Sequence, residues 1–194
     1  MNIRQALAVL MAVLALAACS QKDPAREAIE AAENALNAVY EDADKYLPER
    51  YAAVKAELDT ARAAFGEERY ADAIAAVKDV PAAAEALAKD AAAAREKHVA
   101  DLNADWARIS GSLPGLLAGI GGRIEDLGQM RKLPEGMDRQ LLDETKAAYA
   151  SAQSAWAEAG ALFGNGDVEN AVARARAAEG MAQDLVARLG MPAG

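Results

Sequence analysis

The stretch YAAVKAELDTARAAFGEERYADAIAAV, residues 51–77, decides the fold class of this chain. Its apolar side chains recur at steps of three and four residues, which places them on one stripe of an α-helix: Tyr51, Val54, Leu58, Ala61 and Phe65. Residues 66–68 (GEE) end that stripe, and a second stripe starts at Tyr70. The stretch therefore predicts two helices joined by a tight turn.

The composition extends this prediction to the whole chain. Alanine, which loses no side-chain entropy in a helix, accounts for 52 of the 194 residues, whereas only nine residues are aromatic. Period-two runs of β-branched and aromatic residues, which indicate strands, do not occur in the sequence. We expect an all-α fold of five to seven helices, arranged as antiparallel hairpins that form a bundle or a short repeat array.

Prolines and glycines predict where the helices end. Asp23 and Pro24 are the residue types of an N-cap and a first helical position. Pro81 predicts a kink, so that the third helix is either one bent helix or two. Residues 110–114 predict an interruption, and a glycine-rich central helix is predicted at about residues 112–131.

Residues 51–90 resemble a later part of the same chain. A shift of 98 positions superposes Tyr51 on Tyr149, and it pairs further stripe and turn residues: Leu58 with Trp156, Phe65 with Phe163, Gly66 with Gly164, Ile74 with Val172 and Leu87 with Leu185. A duplicated hairpin, at about 47–95 and 133–190, explains the pattern, and independent helical patterning is the alternative. We expect both hairpins within one all-α domain, residues 24–190, followed by a tail at 191–194.

The turns of the two hairpins carry a family resemblance. Residues 68–74 (ERYADAI) and 166–172 (GDVENAV) resemble the G-D-Y-x-x-A-I run of tetratricopeptide repeats, which joins two antiparallel helices. The chain departs from that family, because the 34-residue spacing and the early Trp-Leu-Gly signature are absent. The alanine-rich hairpins are also similar to those of poorly characterised outer-membrane lipoproteins. In the second turn, Asp167 is predicted to be an N-cap.

The N-terminal segment has the pattern of a secretory signal. A polar start with Arg4 is followed by 13 apolar residues, 6–18, which is short of the roughly 20 that span a bilayer as a helix. Residues 16–19 (LAAC) resemble the lipobox of bacterial lipoproteins. The resemblance implies removal of residues 1–18, acylation of Cys19 and a short tether at 19–23. An ordinary signal peptide with a free thiol is the alternative.

The same resemblance implies an address. The residue after Cys19 is Ser20 and not Asp, which in proteobacterial lipoproteins implies transport to the outer membrane. We therefore expect a chain that is lipid-anchored on the periplasmic face of the outer membrane. Its membrane contact is expected through the N-terminal lipid, because the net charge of −9 disfavours a basic surface on anionic lipid.

Side chains for chemistry are scarce. The chain has one cysteine and one histidine, His98, whereas a zinc site needs about four ligands. The net charge of −9 also disfavours nucleic acid, which selects lysine and arginine clusters. No G-x-S-x-G elbow or phosphate-binding loop occurs in the sequence. We therefore expect no catalytic residue, no metal and no cofactor, and a chain that is not an enzyme.

The glycine-rich segment supplies the candidate site. At about 100° per residue, Gly115, Gly119 and Gly122 share one side of a helix, and the large apolar residues of 113–127 share the other. Glycine costs about 1 kcal/mol relative to alanine inside a helix, so its repeated use indicates a groove or a close helix crossing. The groove, with Trp106 nearby, is predicted to bind a partner or a ligand.

These patterns predict a non-enzymatic role. The first hypothesis is a protein-interaction or scaffold module that binds an envelope protein. The second is a carrier that holds a small apolar molecule between residues 113–127 and neighbouring helices. The oligomeric state is left open.

Overall fold

The computed structural model describes the backbone of residues 3–192 and the side chains of residues 21–192. Within this part the chain has no strand and six helices: α1 (Ile3–Tyr46), α2 (Pro48–Gly66), α3 (Tyr70–Val77), α4 (Val80–Gln129), α5 (Arg139–Gly164) and α6 (Val168–Arg188). The predicted all-α class with five to seven helices is confirmed. Cys19 lies outside the described side chains.

The contacts within the chain divide it into two units. Unit 1 is Met1–Lys97 and unit 2 is His98–Gly194, so the boundary falls inside α4. These units divide residues 24–190, for which the sequence predicts one domain. The boundary at residue 97 is also close to the shift of 98 positions that relates the two hairpins in the sequence.

Unit 1 is built from α1, α2, α3 and the first part of α4. Its helices α1 and α2 are antiparallel, because Glu33 pairs with Arg62 at 2.7 Å across the single residue, Leu47, that joins them. The apolar stripes of α1, α2 and α3 meet in one core of small and medium-sized side chains: Ala25, Ile29, Ala32, Leu36, Leu58, Ala61, Ala64, Tyr70, Ala73, Val77 and Val80. The confirmed stripe of residues 51–65 thus faces α1 and α3.

Unit 2 repeats this plan with the rest of α4, α5 and α6. Trp106 on α4 meets Phe163 near the end of α5, and Gly121, later in α4, meets Tyr149, earlier in α5, so α4 and α5 are antiparallel. Asp105 pairs with Arg176 and Arg108 pairs with Glu179, which makes α4 and α6 parallel. The core joins the large residues of α4 to the alanines of α5 and α6: Ile109, Leu113, Leu117, Ile120, Ile124, Leu127, Ala152, Ala155, Ala159, Ala175, Ala178 and Ala182.

The two hairpin turns have the same backbone hydrogen bonds. In the first, the amides of Glu68 and Arg69 donate to the carbonyls of Phe65 and Ala64. In the second, the residues 98 positions later make the same two bonds, from Gly166 to Phe163 and from Asp167 to Leu162. This is the Schellman pattern, in which the residue after the helix takes a left-handed conformation. Glu68 (φ 60°) and Gly166 (φ 84°) are the residues that do so.

Two helix boundaries that the sequence predicts at prolines do not occur in the structure. The predicted helix start at Asp23 and Pro24 is wrong, because α1 runs through both residues. The predicted interruption at residues 110–114 is also wrong, because α4 continues through Pro114. Ile109 and Leu113, which precede this proline, are fully buried in the core of unit 2. Their packing stabilises the helix at Pro114, where the missing N–H and the proline ring destabilise it.

Pro81 does divide a helix. A proline at this position has no N–H for the carbonyl of Val77, four residues earlier, and its ring clashes with that carbonyl. Accordingly α3 ends at Val77, and α4 starts at Val80 after two turn residues. Of the two alternatives left open by the sequence, two separate helices are the correct one.

Candidate functional site

A cavity lies on unit 2, between α4 and α6. It has a volume of about 660 Å³ and is lined by residues of α4, α6 and the segment after α6: Ser112, Leu116, Glu179, Gln183, Val186, Ala187 and Met191. We call this surface the α4–α6 groove. Three of its lining residues, Ser112, Gln183 and Ala187, are exposed, so the groove is an open surface feature.

The floor of the α4–α6 groove is apolar. Leu116 lies on α4 beside the buried stripe, and Val186 lies opposite on α6, 7% exposed. Met191 completes the floor because α6 ends in a third Schellman turn. In this turn Gly190 has φ 63°, and the amide of Met191 donates to the carbonyl of Val186 at 3.0 Å. This turn folds the chain back, so that Met191 packs against the core of unit 2.

The rim of the groove is charged and internally paired. Arg108 binds Glu179 through two hydrogen bonds, of 2.6 and 3.0 Å, the fork geometry that guanidinium and carboxylate groups favour. Asp105 accepts hydrogen bonds from Arg176 and from Arg108. Two acidic and two basic side chains therefore neutralise one another in a cluster that reaches the groove through Glu179.

These pairs keep the rim ionised. The hydrogen bond from Arg108 lowers the pKa of Glu179 below its usual value, against the opposing effect of partial burial. The hydrogen bond from Arg176 in the same way lowers the pKa of Asp105. Arg108 has a raised pKa, with Glu179 as the main cause. A carboxylate with a lowered pKa holds a proton poorly at neutral pH, so this edge is suited to ion pairing rather than to proton transfer.

The predicted glycine groove coincides with this surface at one residue. A Cβ atom on Gly119 would lie 3.7 Å from Cε of Met191, which places Gly119 at the edge of the α4–α6 groove. Gly115 and Gly122 are exposed, and a Cβ atom on either would meet nothing within 4 Å. These two glycines therefore have open space beside them and no neighbouring helix in close approach.

The close approach in this segment occurs at Gly121, which the sequence analysis did not single out. A Cβ atom there would lie 2.6 Å from the hydroxyl oxygen of Tyr149 and 3.2 Å from its Cζ. The same hydroxyl accepts a hydrogen bond of 2.9 Å from Gln153. Glycine at position 121 thus makes room for a ring on α5, a relation between residues 28 positions apart that helical periodicity alone does not reveal.

Trp106 belongs to an aromatic cluster and not to the groove lining. Its ring stacks on Phe163 with a centroid distance of 4.2 Å and an angle of 3°, and on Trp156 at 5.4 Å and 22°. All three residues pack at or near the apolar core of unit 2. The sequence predicts Trp106 near the glycine groove, whereas the structure gives Trp106 and Gly119 different neighbours.

The apolar face of α4 is largely used by the core. Leu113 and Ile120 are fully buried, and Leu127 is 1% exposed, so this face is covered by α5 and α6. Leu116 is the member of the set that reaches the α4–α6 groove. Among the described side chains, no group of three metal-ligating residues occurs, and Nε2 of His98 lies 4.0 Å from a carboxylate oxygen of Glu169.

None of the described helices is both long enough and apolar enough to cross a bilayer. Comparison with protein-family models, with curated proteins and with solved structures finds no match for this chain. A function therefore has to be inferred from its own residues.

Proposed function

We propose that this chain is a lipoprotein anchored through Cys19 on the periplasmic face of the outer membrane, where it acts as a non-enzymatic protein-interaction or scaffold module. The anchor is supported by the sequence of residues 16–19 (LAAC) and by Ser20. It is also supported by the short distance along the chain to the folded part. Ala25, six positions after Cys19, is already fully buried in the core of unit 1.

The observation that carries the interaction role is the α4–α6 groove. Its apolar floor of Leu116, Val186 and Met191 is accessible from outside, and its charged rim is already neutralised by the Arg108–Glu179 pair. An apolar strip beside paired charges suits a protein partner, because apolar contacts supply binding energy and a polar rim gives register. We propose that an envelope protein docks on this groove.

Site-specific photo-crosslinking in living cells tests the interaction. A photoreactive amino acid replaces Gln183, which is exposed and lines the α4–α6 groove, and in a matched control it replaces Gln140, which is exposed near the start of α5. We expect a discrete protein adduct from position 183 and none from position 140. The same adducts from both positions, or a lipid adduct alone at position 183, would contradict a groove-specific protein partner.

The groove also favours a second candidate, the carrier of a small apolar molecule. Its volume of about 660 Å³ lies within the range of about 300–1,000 Å³ that is usual for ligand pockets. Native mass spectrometry of the protein purified from its host tests this candidate. A carrier retains a molecule of defined mass, and Leu116→Asn, which places a polar group on the groove floor, weakens that retention. An unliganded mass in the native protein contradicts it.

A further inference from the structure

The start of the described side chains lies next to the turn between α2 and α3. Gln21 lines a small cavity of about 240 Å³ together with residues of that turn and the first turn of α3: Glu68, Arg69, Tyr70, Ala71 and Asp72. Cys19 precedes Gln21 by two residues, and two residues of extended chain span at most about 7 Å. A lipid on Cys19 is therefore held close to this turn.

The other end of unit 1 is far from the anchor. Helix α2 begins at Pro48 and ends at Gly66, beside the same turn. At about 1.5 Å per residue, the two ends of α2 are separated by about 27 Å. Glu49 in the first turn of α2 thus lies well beyond the roughly 7 Å that Cys19, two positions before Gln21, can reach.

The anchor end of unit 1 also carries an open apolar cleft. The cleft has a volume of about 360 Å³ and lies between α1 and α2. Ile29 and Phe65 form its apolar lining, and two basic and two acidic side chains lie beside them: Arg26, Arg62, Glu30 and Glu33. Phe65 contacts Tyr70 edge to face, at 5.2 Å between ring centroids. In unit 2 the matching residue, Phe163, is stacked face to face on Trp106, and unit 1 has the open cleft at this position instead.

The chemistry of this cleft suits the boundary between lipid and water. Aromatic rings and long basic side chains concentrate at that boundary, because their apolar parts lie toward the acyl chains and their polar ends toward the headgroups. Arg62 is ion-paired with Glu33 at 2.7 Å, and this hydrogen bond raises the pKa of its guanidinium, so these two charges beside the cleft neutralise one another. Phe65 and Arg62 lie on the last two turns of α2, the end that adjoins the anchor.

We propose that unit 1 rests on the phospholipid headgroups of the anchoring membrane through one defined surface. That surface, the anchor-end surface, consists of Gln21, the α2–α3 turn at residues 67–69 and the cleft lined by Ile29 and Phe65. The inference rests on the proposed lipidation of Cys19 and adds to it the face that meets the lipid. The opposite end of α2, with Glu49, then faces away from the bilayer.

Fluorescence quenching on the full-length, lipidated protein tests this orientation. Because acylation consumes the thiol of Cys19, an introduced cysteine is the only free thiol of the chain. Glu67→Cys places a fluorophore in the anchor-end surface, and Glu49→Cys, also an exposed glutamate, places it at the other end of α2. The protein is inserted into vesicles of phosphatidylethanolamine and phosphatidylglycerol that carry a quencher on the lipid headgroup. We expect quenching several-fold stronger at position 67 than at position 49.

A second pair keeps the test decisive if one variant folds poorly. Ala71→Cys, at the start of α3, and Ala52→Cys, near the start of α2, exchange exposed alanines and leave both cores unchanged. We expect the same order of quenching, stronger at position 71. Equal quenching in both pairs, or the reverse order, overturns the proposed surface.

Intact-mass analysis of the same samples separates the two proposals. An acylated Cys19 with stronger quenching at positions 67 and 71 supports both. An acylated Cys19 with quenching at positions 49 and 52 retains the anchor and overturns the anchor-end surface. A bare thiol on Cys19 overturns the anchor, and with it the inference that depends on it.

Discussion

The two hairpin turns differ in sequence and agree in backbone, and the difference shows what specifies them. Residues 67–69 are Glu-Glu-Arg, and residues 165–167, at the matching positions, are Asn-Gly-Asp. Both segments nevertheless make the same hydrogen bonds, and both place their middle residue in the left-handed region. The second turn contains the residues that this geometry favours, a glycine at positive φ and an aspartate N-cap, and the first does not. The surrounding helices therefore impose the first turn.

The tyrosines that match across the units teach a similar lesson about packing. Tyr149 lies over the bare backbone of Gly121, where the neighbouring helix has no side chain. Tyr51 instead meets the ring of Tyr40 on α1, edge to face, with 5.5 Å between centroids. The matching tyrosines thus pack differently: one lies against a glycine on the neighbouring helix, and the other contacts an aromatic ring.

Truncation of the matching core leucines is expected to have the largest effect. Leu87 and Leu185 are each 1% exposed, and each is expected to cost about 2–5 kcal/mol of unfolding free energy when replaced by alanine. Leu185 lies in the large core of unit 2 and Leu87 in a small cluster with Ala43 and Ala91, so we expect Leu185→Ala to cost more. Denaturant unfolding, with hydrogen exchange to assign the loss to a unit, measures both. Equal costs would show that the units have equivalent cores.

Two neighbouring glycines in α4 form a matched pair for which alanine is expected to change the free energy of unfolding in opposite directions. Gly121→Ala places a methyl group against the ring of Tyr149, and we expect a loss of about 1–3 kcal/mol, typical of overpacking. Gly122→Ala places the same group in open space and is expected to gain up to about 1 kcal/mol from helix propensity. Thermal and denaturant unfolding of the two variants distinguishes these outcomes. A gain for both variants would mean that Tyr149 moves aside without cost.

The left-handed residues of the two turns are expected to respond in opposite directions. Gly166→Ala places a Cβ atom at φ 84°, which costs about 1–2 kcal/mol. Glu68→Gly removes the Cβ atom that is strained at φ 60°. Glycine loses more conformational entropy on folding, which offsets part of this benefit, so we expect the free energy of unfolding to rise by about 0.5–1 kcal/mol. The free energy of unfolding checks both values. A loss on Glu68→Gly would indicate that the glutamate side chain contributes more than its backbone costs.

Arg69 and Asp167, which follow the two left-handed residues, are the N-cap residues of α3 and α6, and they differ in capping. The carboxylate of Asp167 accepts from the amide of Asn170 at 3.3 Å, whereas Arg69 makes no side-chain cap. We expect Asp167→Ala to cost about 1 kcal/mol and Arg69→Ala to change stability by less than about 0.5 kcal/mol. Denaturant midpoints of the two variants provide the comparison. A comparable cost for Arg69→Ala would show that its exposed pairs with Glu67 and Asp72 matter more than surface pairs usually do.

The smallest expected effect is a dependence of the stability of unit 2 on pH. The folded-state pKa of Glu179 lies below its unfolded value, so its pairing adds stability above the unfolded pKa, and this stability is lost as the pH falls through the folded pKa. Wild type is therefore expected to exceed Glu179→Gln in stability at pH 7, and the difference is expected to shrink below about pH 4. Paired unfolding curves measure it. In an Arg108→Gln background, which lacks the main cause of the lowered pKa, the same comparison is expected to show a smaller pH dependence.

Local features of the fold follow from the sequence. The stripe of residues 51–65 predicts α2, Gly66 and its neighbours predict the turn, and the N-cap predicted at Asp167 is confirmed by its bond to Asn170. Each of these depends on residues within about one or two helical turns of one another. Helical periodicity and capping chemistry act over that same distance, which is why they can be predicted.

The features that escape the sequence depend on residues far apart in the chain. Whether Pro114 ends α4 is decided by the burial of Ile109 and Leu113 against α5 and α6, not by the proline itself. The rim pairs of the α4–α6 groove join residues 71 positions apart, Arg108 to Glu179 and Asp105 to Arg176. Gly119 was found by its spacing, but its relation to Met191 required the fold.

The break at Pro81 has a consequence for the order in which the helices of unit 1 form. It leaves α3 with eight residues, whereas its counterpart α6 has 21. A helix of about two turns does not persist alone in water, because too few hydrogen bonds repay the entropy of nucleation. In unit 1 we therefore expect α3 to form only after the hairpin of α1 and α2, which supplies the core that α3 packs against. In unit 2 both α5 and α6 have more than 20 residues, and we expect no such order there.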